Sequence, residues 1–369
     1  MTDTLDSSTS EAFRVVRHPS PATEEERAEK LRDLAFGLQF TDHMARVTWD
    51  AEQGWHDRRV EPYGPIPMDP AASVLHYAQE VFEGLKAYRW ADGSIHLFRP
   101  EANALRLQRS AARMALPELS VPDFMESIRS LLALDHAWVP EADGTSLYLR
   151  PFLIGTDVFL GLRPPKKVDY LLIASPSGPY FAGGVKPVSI WVERDFHRAG
   201  PGGTGAAKCG GNYAASLLPQ VKAYERGFDQ VLYLDAATGS VLEELGGMNV
   251  FAVRRDGTVL TPVINGNILE GITRSSIIQL LEDNELKVVE RDITLAELQD
   301  GIAEGEITEV FACGTAAIVT PVGRMASSDF EVTVGDGQPG PVTLAVRDRL
   351  MGVQYGRVED TYGWMERVR

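Results

Sequence analysis

The distribution of apolar and polar residues along the chain reads first as short elements of both kinds. Ser146–Ile154, Val168–Ser175, Val188–Glu193, Gln230–Asp235 and Glu309–Ala312 read as strands. Alternating residues over Ala87–Arg99 flank Asp92-Gly93, which predicts a hairpin closed by a two-residue type I′ turn. Met248–Leu260 likewise folds over Asp256-Gly257. Helical spacing predicts helices over Ala102–Met114, where Leu105 and Arg109 fall one turn apart, and over Phe124–Leu134, with Ile128, Leu131 and Leu132 on its apolar face. Asp123 followed by Glu126 predicts the cap of the second of these. Arg274–Leu281 and Leu295–Ala303 are predicted helices too, the latter opened by Thr294 with Glu297.

Residues 1–30, rich in Ser, Thr and Glu, read as a mobile tail. The run Ser175-Pro-Ser-Gly-Pro-Tyr-Phe-Ala-Gly-Gly184 is turn-rich, so a boundary is expected there. The expected organisation is a small N-terminal domain over 31–177, an interdomain loop over 178–187 and a large C-terminal domain over 188–369. Several hairpins with few βαβ units point to the α+β class, with largely antiparallel sheets.

Composition changes this picture little. The 369 residues suffice for two domains, and 44% hydrophobic with 24% charged residues is ordinary for a globular protein. No apolar run approaches a membrane span, and the first residues lack the apolar core of a secretory signal. A net charge of −16 disfavours nucleic acid and anionic membranes as partners. Two cysteines, Cys209 and Cys313, are too few for a disulfide scaffold or a zinc cluster. They read as small buried residues in a cytoplasmic protein, and no metal site is expected.

The chemistry concentrates in Ala199-Gly-Pro-Gly-Gly-Thr-Gly-Ala-Ala-Lys208-Cys-Gly-Gly-Asn-Tyr213. From Ala199 through Val221, Lys208 is the only formally charged side chain. A lysine on such a loop lacks nearby carboxylates, and partial desolvation favours the neutral amine that Schiff-base chemistry requires. A surface lysine in a flexible loop is the alternative. Gly200-Pro-Gly-Gly-Thr-Gly205 fits a dinucleotide fingerprint formally, yet no βαβ unit surrounds it. Asn212 reads as an N-cap, and Pro219 is expected to kink or interrupt the helix that follows.

Lys208-Cys-Gly-Gly-Asn-Tyr213, with Glu244-Leu-Gly-Gly-Met-Asn249 after it, resembles the branched-chain amino acid aminotransferases, fold-type-IV enzymes dependent on pyridoxal 5′-phosphate. Phe40-Thr-Asp-His-Met44, Phe82-Glu-Gly-Leu-Lys-Ala87, Leu97-Phe-Arg-Pro100, Thr145-Ser-Leu-Tyr-Leu-Arg-Pro151 and Gly314-Thr-Ala316 extend the resemblance in order, and it runs to Trp364. It implies two α/β domains with the cofactor site at their interface. It also implies that Lys208 carries the cofactor as a Schiff base and shuttles a proton during turnover. Glu244, rather than its neighbour Glu243, would pair with the protonated pyridine nitrogen, and Tyr213 would hydrogen-bond the phenolic oxygen. Arg106, an ordinary helix-surface arginine without the family, would contact the phosphate, and Arg198 would also lie at the cofactor.

The phosphate ligands make sense on their own. Gly266-Asn-Ile-Leu-Glu-Gly271, containing Leu269, leads to Ile272-Thr273 at a helix start, where free amides and the Thr273 hydroxyl suit an anion. Thr315 would add a second hydroxyl, and the amides of the turn through Ala316 would take the substrate carboxylate. Phe40, Phe82, Tyr148, Gly247 and Ala316 match the family's substrate pocket, with Tyr213 beside them. Arg150 helps to organise this pocket and its second substrate, glutamate. Tyr77, Leu160 and Leu162 match positions contributed by a neighbouring subunit, so a homodimer is expected.

The implied reaction is a reversible ping-pong transfer between L-leucine, L-isoleucine or L-valine and 2-oxoglutarate, in branched-chain amino acid biosynthesis or breakdown. The alternatives are a D-amino acid aminotransferase, an aminodeoxychorismate lyase of the same fold, and a non-catalytic cofactor carrier. Ala317-Ile-Val-Thr320 stands where some animal relatives carry a redox-active Cys-x-x-Cys, so no such thiol switch is expected.

Overall fold

The computed structural model describes residues 12–178 and 185–369. The chain divides into one unit comprising Met1–Pro179 with Asp360–Arg369 and a second comprising Tyr180–Glu359. Within the expected tail, residues 1–11 lie outside the described residues, as do 179–184 within the expected interdomain loop.

The first unit is built on a sheet of nine strands among the described residues. At its centre Ser146–Gly155 pairs antiparallel with Lys167–Ser177 on one side and with Leu85–Arg89 on the other. Helices Pro100–Arg113 and Val121–Asp135 belong to this unit. The buried Ser127 hydroxyl, on the second helix, lies 2.8 Å from the Tyr170 hydroxyl on the sheet. That contact marks the face that carries Leu147, Leu149, Leu153, Leu172 and Ala174, all buried.

Several expectations fail in this unit. From Ala12 onward the tail is partly regular. Arg14–Val15 pairs in parallel with Arg59 and Val60, and Glu24–Lys30 is a helix. Thr23 and Glu26 close a capping box on that helix, which buries no residue and so offers no apolar stripe to read. The C-terminal residues 360–369 join the first unit, because Met365–Arg367 pairs antiparallel with Ile95–Phe98. The Asp92-Gly93 hairpin has no two-residue turn. Gly93 donates back to the Trp90 carbonyl, Gly93 takes φ 84°, and the Asp92 carboxylate accepts from the Ser94 amide and hydroxyl. Ser120, not Asp123, caps Val121–Asp135, and Asp123 instead accepts from Nε and one Nη of Arg58. The strand expected to end at Ser175 runs to Ser177, held by Ser146 opposite.

The second unit has its own sheet, also of nine strands among the described residues. Val188–Glu193 lies parallel to Gln230–Leu234 and to Ile318–Ala326. Ile307–Gly314 pairs antiparallel with Ile318–Ala326 and with Asn249–Arg254. The mostly antiparallel pairing in both sheets, with helices set beside them, is the α+β arrangement expected. Ile190, Val192, Leu232, Leu234, Leu245, Val250, Ala312 and Val322 form the centre of its core, which reaches Leu298 and Ile302 of helix Leu295–Ala303. Thr294 caps that helix as expected by accepting from the Glu297 amide.

Helix Pro341–Gln354 has no side-chain cap of its own. Its first turn is satisfied from the sheet. The buried Glu309 carboxylate accepts from the Val342 amide at 3.0 Å, the Thr343 amide at 2.8 Å and the Thr343 hydroxyl at 2.6 Å. An anion at a helix N-terminus also meets the positive end of the macrodipole. Glu309→Ala should therefore cost about 2–3 kcal/mol through donors left buried without an acceptor. Urea unfolding should report this as a lower midpoint. An unchanged midpoint would mean that the helix finds another cap.

Candidate functional site

In the second unit the lysine loop is held by its neighbours. Asn212 does not cap a helix, because Gly210–Glu225 begins two residues earlier with Cys209 as N-cap. The Asn212 side chain instead turns back on the loop. Its Nδ2 donates to the Thr204 and Ala207 carbonyls, each at 2.8 Å, and its Oδ1 accepts from the Thr204 hydroxyl at 2.7 Å. Ala206 donates to the Gly266 carbonyl, which ties this loop to the 262–271 loop. Gly205 packs so closely there that a Cβ would meet the Asn267 carbonyl oxygen at 2.1 Å. Pro219 is buried inside the helix and does not end it.

Lys208 emerges half-buried from this fixed loop, and its Nζ donates to the Tyr213 hydroxyl at 2.5 Å. The Tyr213 ring lies beside Gly247, where an added Cβ would come 3.4 Å from Cε1. Gly314, which opens the Thr315-Ala316 turn, sits against Gly247 in turn, its would-be Cβ 3.3 Å from the Gly247 carbonyl oxygen. Lys208, Tyr213, Gly247 and the 314–316 turn are thus one cluster. Ile318, just beyond that turn, takes φ 61°. A β-branched residue is strained in this conformation, and no local pattern in the sequence signals it.

Glu244 lies on the buried strand Leu242–Leu245. One carboxylate oxygen accepts from the Leu269 amide at 2.9 Å and pairs with Arg198 at 2.8 Å. Arg198 also donates to the Asn267 carbonyl at 3.1 Å. Burial pushes the Glu244 carboxyl up to about 7, against the lowering pull of Arg198, the Leu269 amide and Lys208. Glu243 is buried as well, not solvated, and its carboxylate accepts from Asn267 Nδ2 at 2.8 Å. Its pKa too is raised, chiefly by burial. Asn267 therefore serves both glutamates, a role that its sequence context does not reveal.

Ile272 and Thr273 open helix Ile272–Asp283, which starts on Gly271 without a side-chain cap. Gly271 admits no side chain, since a Cβ would stand 2.0 Å from Asn249 Oδ1, and Asn249 Nδ2 donates to the Leu269 carbonyl. This donor set fits pyridoxal 5′-phosphate. A primary amine stands beside a phenol, an uncapped helix start with a threonine hydroxyl suits a phosphate, and a buried carboxyl that resists ionisation would gain from a cationic ring nitrogen. Cys209 and Cys313 are buried free thiols, and burial pushes Cys313 up to about 12. Among the described residues no group of three or more His, Cys, Asp or Glu could hold a metal ion.

The remaining candidates lie in the first unit. Arg150 donates to the Tyr148 hydroxyl at 3.0 Å and stands over the Phe82 ring at 4.7 Å. Phe36, unforeseen, packs edge-on against Tyr148. Phe40 stacks on Tyr63. Arg106 is buried rather than on the helix surface, and it gives Nε and one Nη to the fully buried Glu83 at 2.7 and 2.8 Å. Tyr77 donates to the Leu160 carbonyl. Leu160 and Leu162 are exposed.

The family described as amino-transferase class IV matches residues 80–325. The branched-chain-amino-acid aminotransferase of Mycolicibacterium smegmatis is 55% identical over 96% of this chain and 98% of its own. The Escherichia coli branched-chain amino acid aminotransferase structure superposes with a TM-score of 0.73 at 30% identity, covering 88% of this chain and all of that one. A further branched-chain amino acid aminotransferase, from T.th., is solved in complex with N-(5′-phosphopyridoxyl)-L-glutamate. It reaches a TM-score of 0.66 at 26% identity, over 88% of this chain and 99% of that one.

Glu244 offers a test that requires no substrate. A carboxyl with a raised folded pKa favours the folded state below its ordinary value of 4.5, and this contribution is lost as pH rises through about 7. Ligand-free protein should lose on the order of 3 kcal/mol of unfolding free energy over that interval through this group. Glu244→Gln should flatten the same part of the profile in urea titrations. Parallel profiles for the two proteins would mean that Glu244 titrates normally.

Proposed function

The chain belongs to the class IV amino-transferases, and from this we propose that it transfers the amino group reversibly between L-leucine, L-isoleucine or L-valine and 2-oxoglutarate, with pyridoxal 5′-phosphate held by Lys208. The observation that carries this function is the joint presence of two features in one unit. The Lys208 amine is aimed at the Tyr213 phenol, and the buried Glu244 carboxyl is held by Arg198 and the Leu269 amide. Names of relatives acting on branched-chain amino acids support the substrate class, and the phosphopyridoxyl-glutamate complex of one solved relative supports glutamate as the second donor.

When bound, the cofactor supplies an electron sink for the bond to the substrate α-hydrogen. The residues of this chain do the rest. Lys208 would hold the cofactor and, as a free amine, would hold and return the proton of the substrate α-carbon. Tyr213, hydrogen-bonded to Lys208, orients the amine and would donate to the cofactor phenolic oxygen. Glu244 would hold the pyridine nitrogen protonated, and Arg198 fixes that carboxylate in place. The amides of Ile272 and Thr273, with the Thr273 and Thr315 hydroxyls, would bind the phosphate together with Arg106, while Leu269 holds Glu244. Ala316 and Thr315 amides would take the substrate carboxylate. Phe40, Phe82, Tyr148 and Gly247 would line the side-chain pocket. It would distinguish methylenes by only about 1–3 kcal/mol each, so methionine should also react slowly.

The exposed Leu160 and Leu162, with Tyr77 anchored to their loop, fit a homodimer in which these residues reach the neighbouring subunit. Among the described residues no helix is long and apolar enough to cross a membrane.

The direct check is the visible spectrum of purified protein with cofactor. L-leucine should shift the absorption band, 2-oxoglutarate should restore it, and Lys208→Ala should reduce turnover by at least about a thousandfold. A band that ignores L-leucine and responds to a D-amino acid would contradict the proposed substrate.

A further inference from the structure

Glu243 and Glu244 are consecutive on strand Leu242–Leu245, so their side chains leave the strand on opposite sides. One loop of the same unit nonetheless engages both. The Asn267 side-chain amide donates to Glu243 Oε1 at 2.8 Å, and the Leu269 amide, two residues on, donates to Glu244 at 2.9 Å. Between these points the Asn267 carbonyl accepts from Arg198, whose guanidinium pairs with Glu244. Glu243 is 1% exposed, and among the described residues its carboxyl bonds only to the Asn267 side chain. Its other oxygen, Oε2, is buried with no hydrogen-bond partner.

We propose that Glu243 is a positioning residue: through Asn267 it fixes the 262–271 loop, and with it Arg198 and the Leu269 amide, so that Glu244 is held for the pyridine nitrogen of the cofactor. The assignment rests on the cofactor and the Glu244 role proposed above.

Burying a carboxyl carries a desolvation cost that one hydrogen bond offsets only in part, so packing alone would favour an apolar residue at this strand position. The carboxyl instead supplies an acceptor for a buried amide. Without it, Asn267 Nδ2 is left in the interior with no partner, and the loop must shift to satisfy it. The Asn267 carbonyl and the Leu269 amide shift with the loop, and they are the two groups by which it sets the Arg198–Glu244 contact. Charge points the same way, because two buried carboxyls share one guanidinium and that guanidinium pairs with Glu244. In support, burial raises the Glu243 pKa against the lowering bond from Asn267; Asp235 adds to the rise, and Arg198 and His197 oppose it. A neutral Glu243 leaves Arg198 to Glu244 while still accepting from Asn267, and glutamine copies the shape of that neutral acid.

The test measures, by equilibrium dialysis against ligand-free protein, the dissociation constants of pyridoxal 5′-phosphate and of its 1-deaza analogue, which lacks the ring nitrogen. Wild-type protein should hold the cofactor on the order of tenfold more tightly than the analogue, the difference being the bond to Glu244. Glu243→Met should remove most of that tenfold preference by weakening the cofactor alone, with the analogue unchanged within about twofold. Glu243→Gln should bind both compounds within about twofold of wild type. Asn267→Ala keeps the carbonyl and removes the amide. It tests the same link should Glu243→Met not fold, and it should show the same selective loss. Equal weakening of both compounds in these variants, unchanged binding of both, or a Glu243→Gln protein as impaired as Glu243→Met would overturn the proposal. A wild-type protein that takes up neither compound, or holds both equally, would instead overturn the cofactor and Glu244 roles, and the Glu243 assignment with them.

Discussion

The second unit is organised around a cost. Glu244 and Arg198 are both withdrawn from water, at 3% and 1% side-chain exposure, and face each other at 2.8 Å. A buried ion pair of this kind rarely stabilises a fold by itself, because desolvation consumes most of the Coulombic gain. It persists where a charge must be kept at a defined place. The surrounding arrangement serves that need. Leu269 gives its amide to the carboxylate, Asn267 accepts from Arg198 and donates to Glu243, and Gly271 is excluded from bearing a side chain by Asn249. The lysine loop is closed on itself by Asn212 and tied to the 262–271 loop by the Ala206 amide, so the Lys208 amine and the buried carboxyl belong to one connected set of contacts.

The first unit uses its sheet differently. One face is filled with leucine and alanine and meets a helix. The other carries Lys86, Tyr148, Arg150 and Ser175 beside an apolar patch. Strand geometry makes this economical, since a two-residue period lets a single strand, Ser146–Gly155, present two faces of different character at once.

Much of this is legible in the sequence, and the exceptions have physical reasons. The strands at the centre of both sheets and the helices Arg274–Leu281 and Leu295–Ala303 are visible within a few residues, because buried elements carry strong apolar patterns. The neutral surroundings of Lys208 stand out because charge is so common elsewhere in the chain. Helix Glu24–Lys30 buries nothing, so only its capping box marks it. The Met365–Arg367 strand is an edge strand of three residues, too short for a period to show. Asn212 reads as a cap but is not one, because its side chain bonds backward to a loop, a contact that local propensity does not encode. Glu83 and Asn267 escape a reading of the sequence for a similar reason, since their meaning depends on partners far away in sequence.

The most direct measurement is to reduce the cofactor-loaded protein with borohydride, digest it and locate the cofactor mass by peptide mass spectrometry. The expected result is a single modified peptide with the phosphopyridoxyl mass on Lys208 and none on Lys86 or any other lysine. Modification elsewhere, or a cofactor that leaves the protein unmodified after reduction, would contradict the assignment of Lys208 as the residue that holds it.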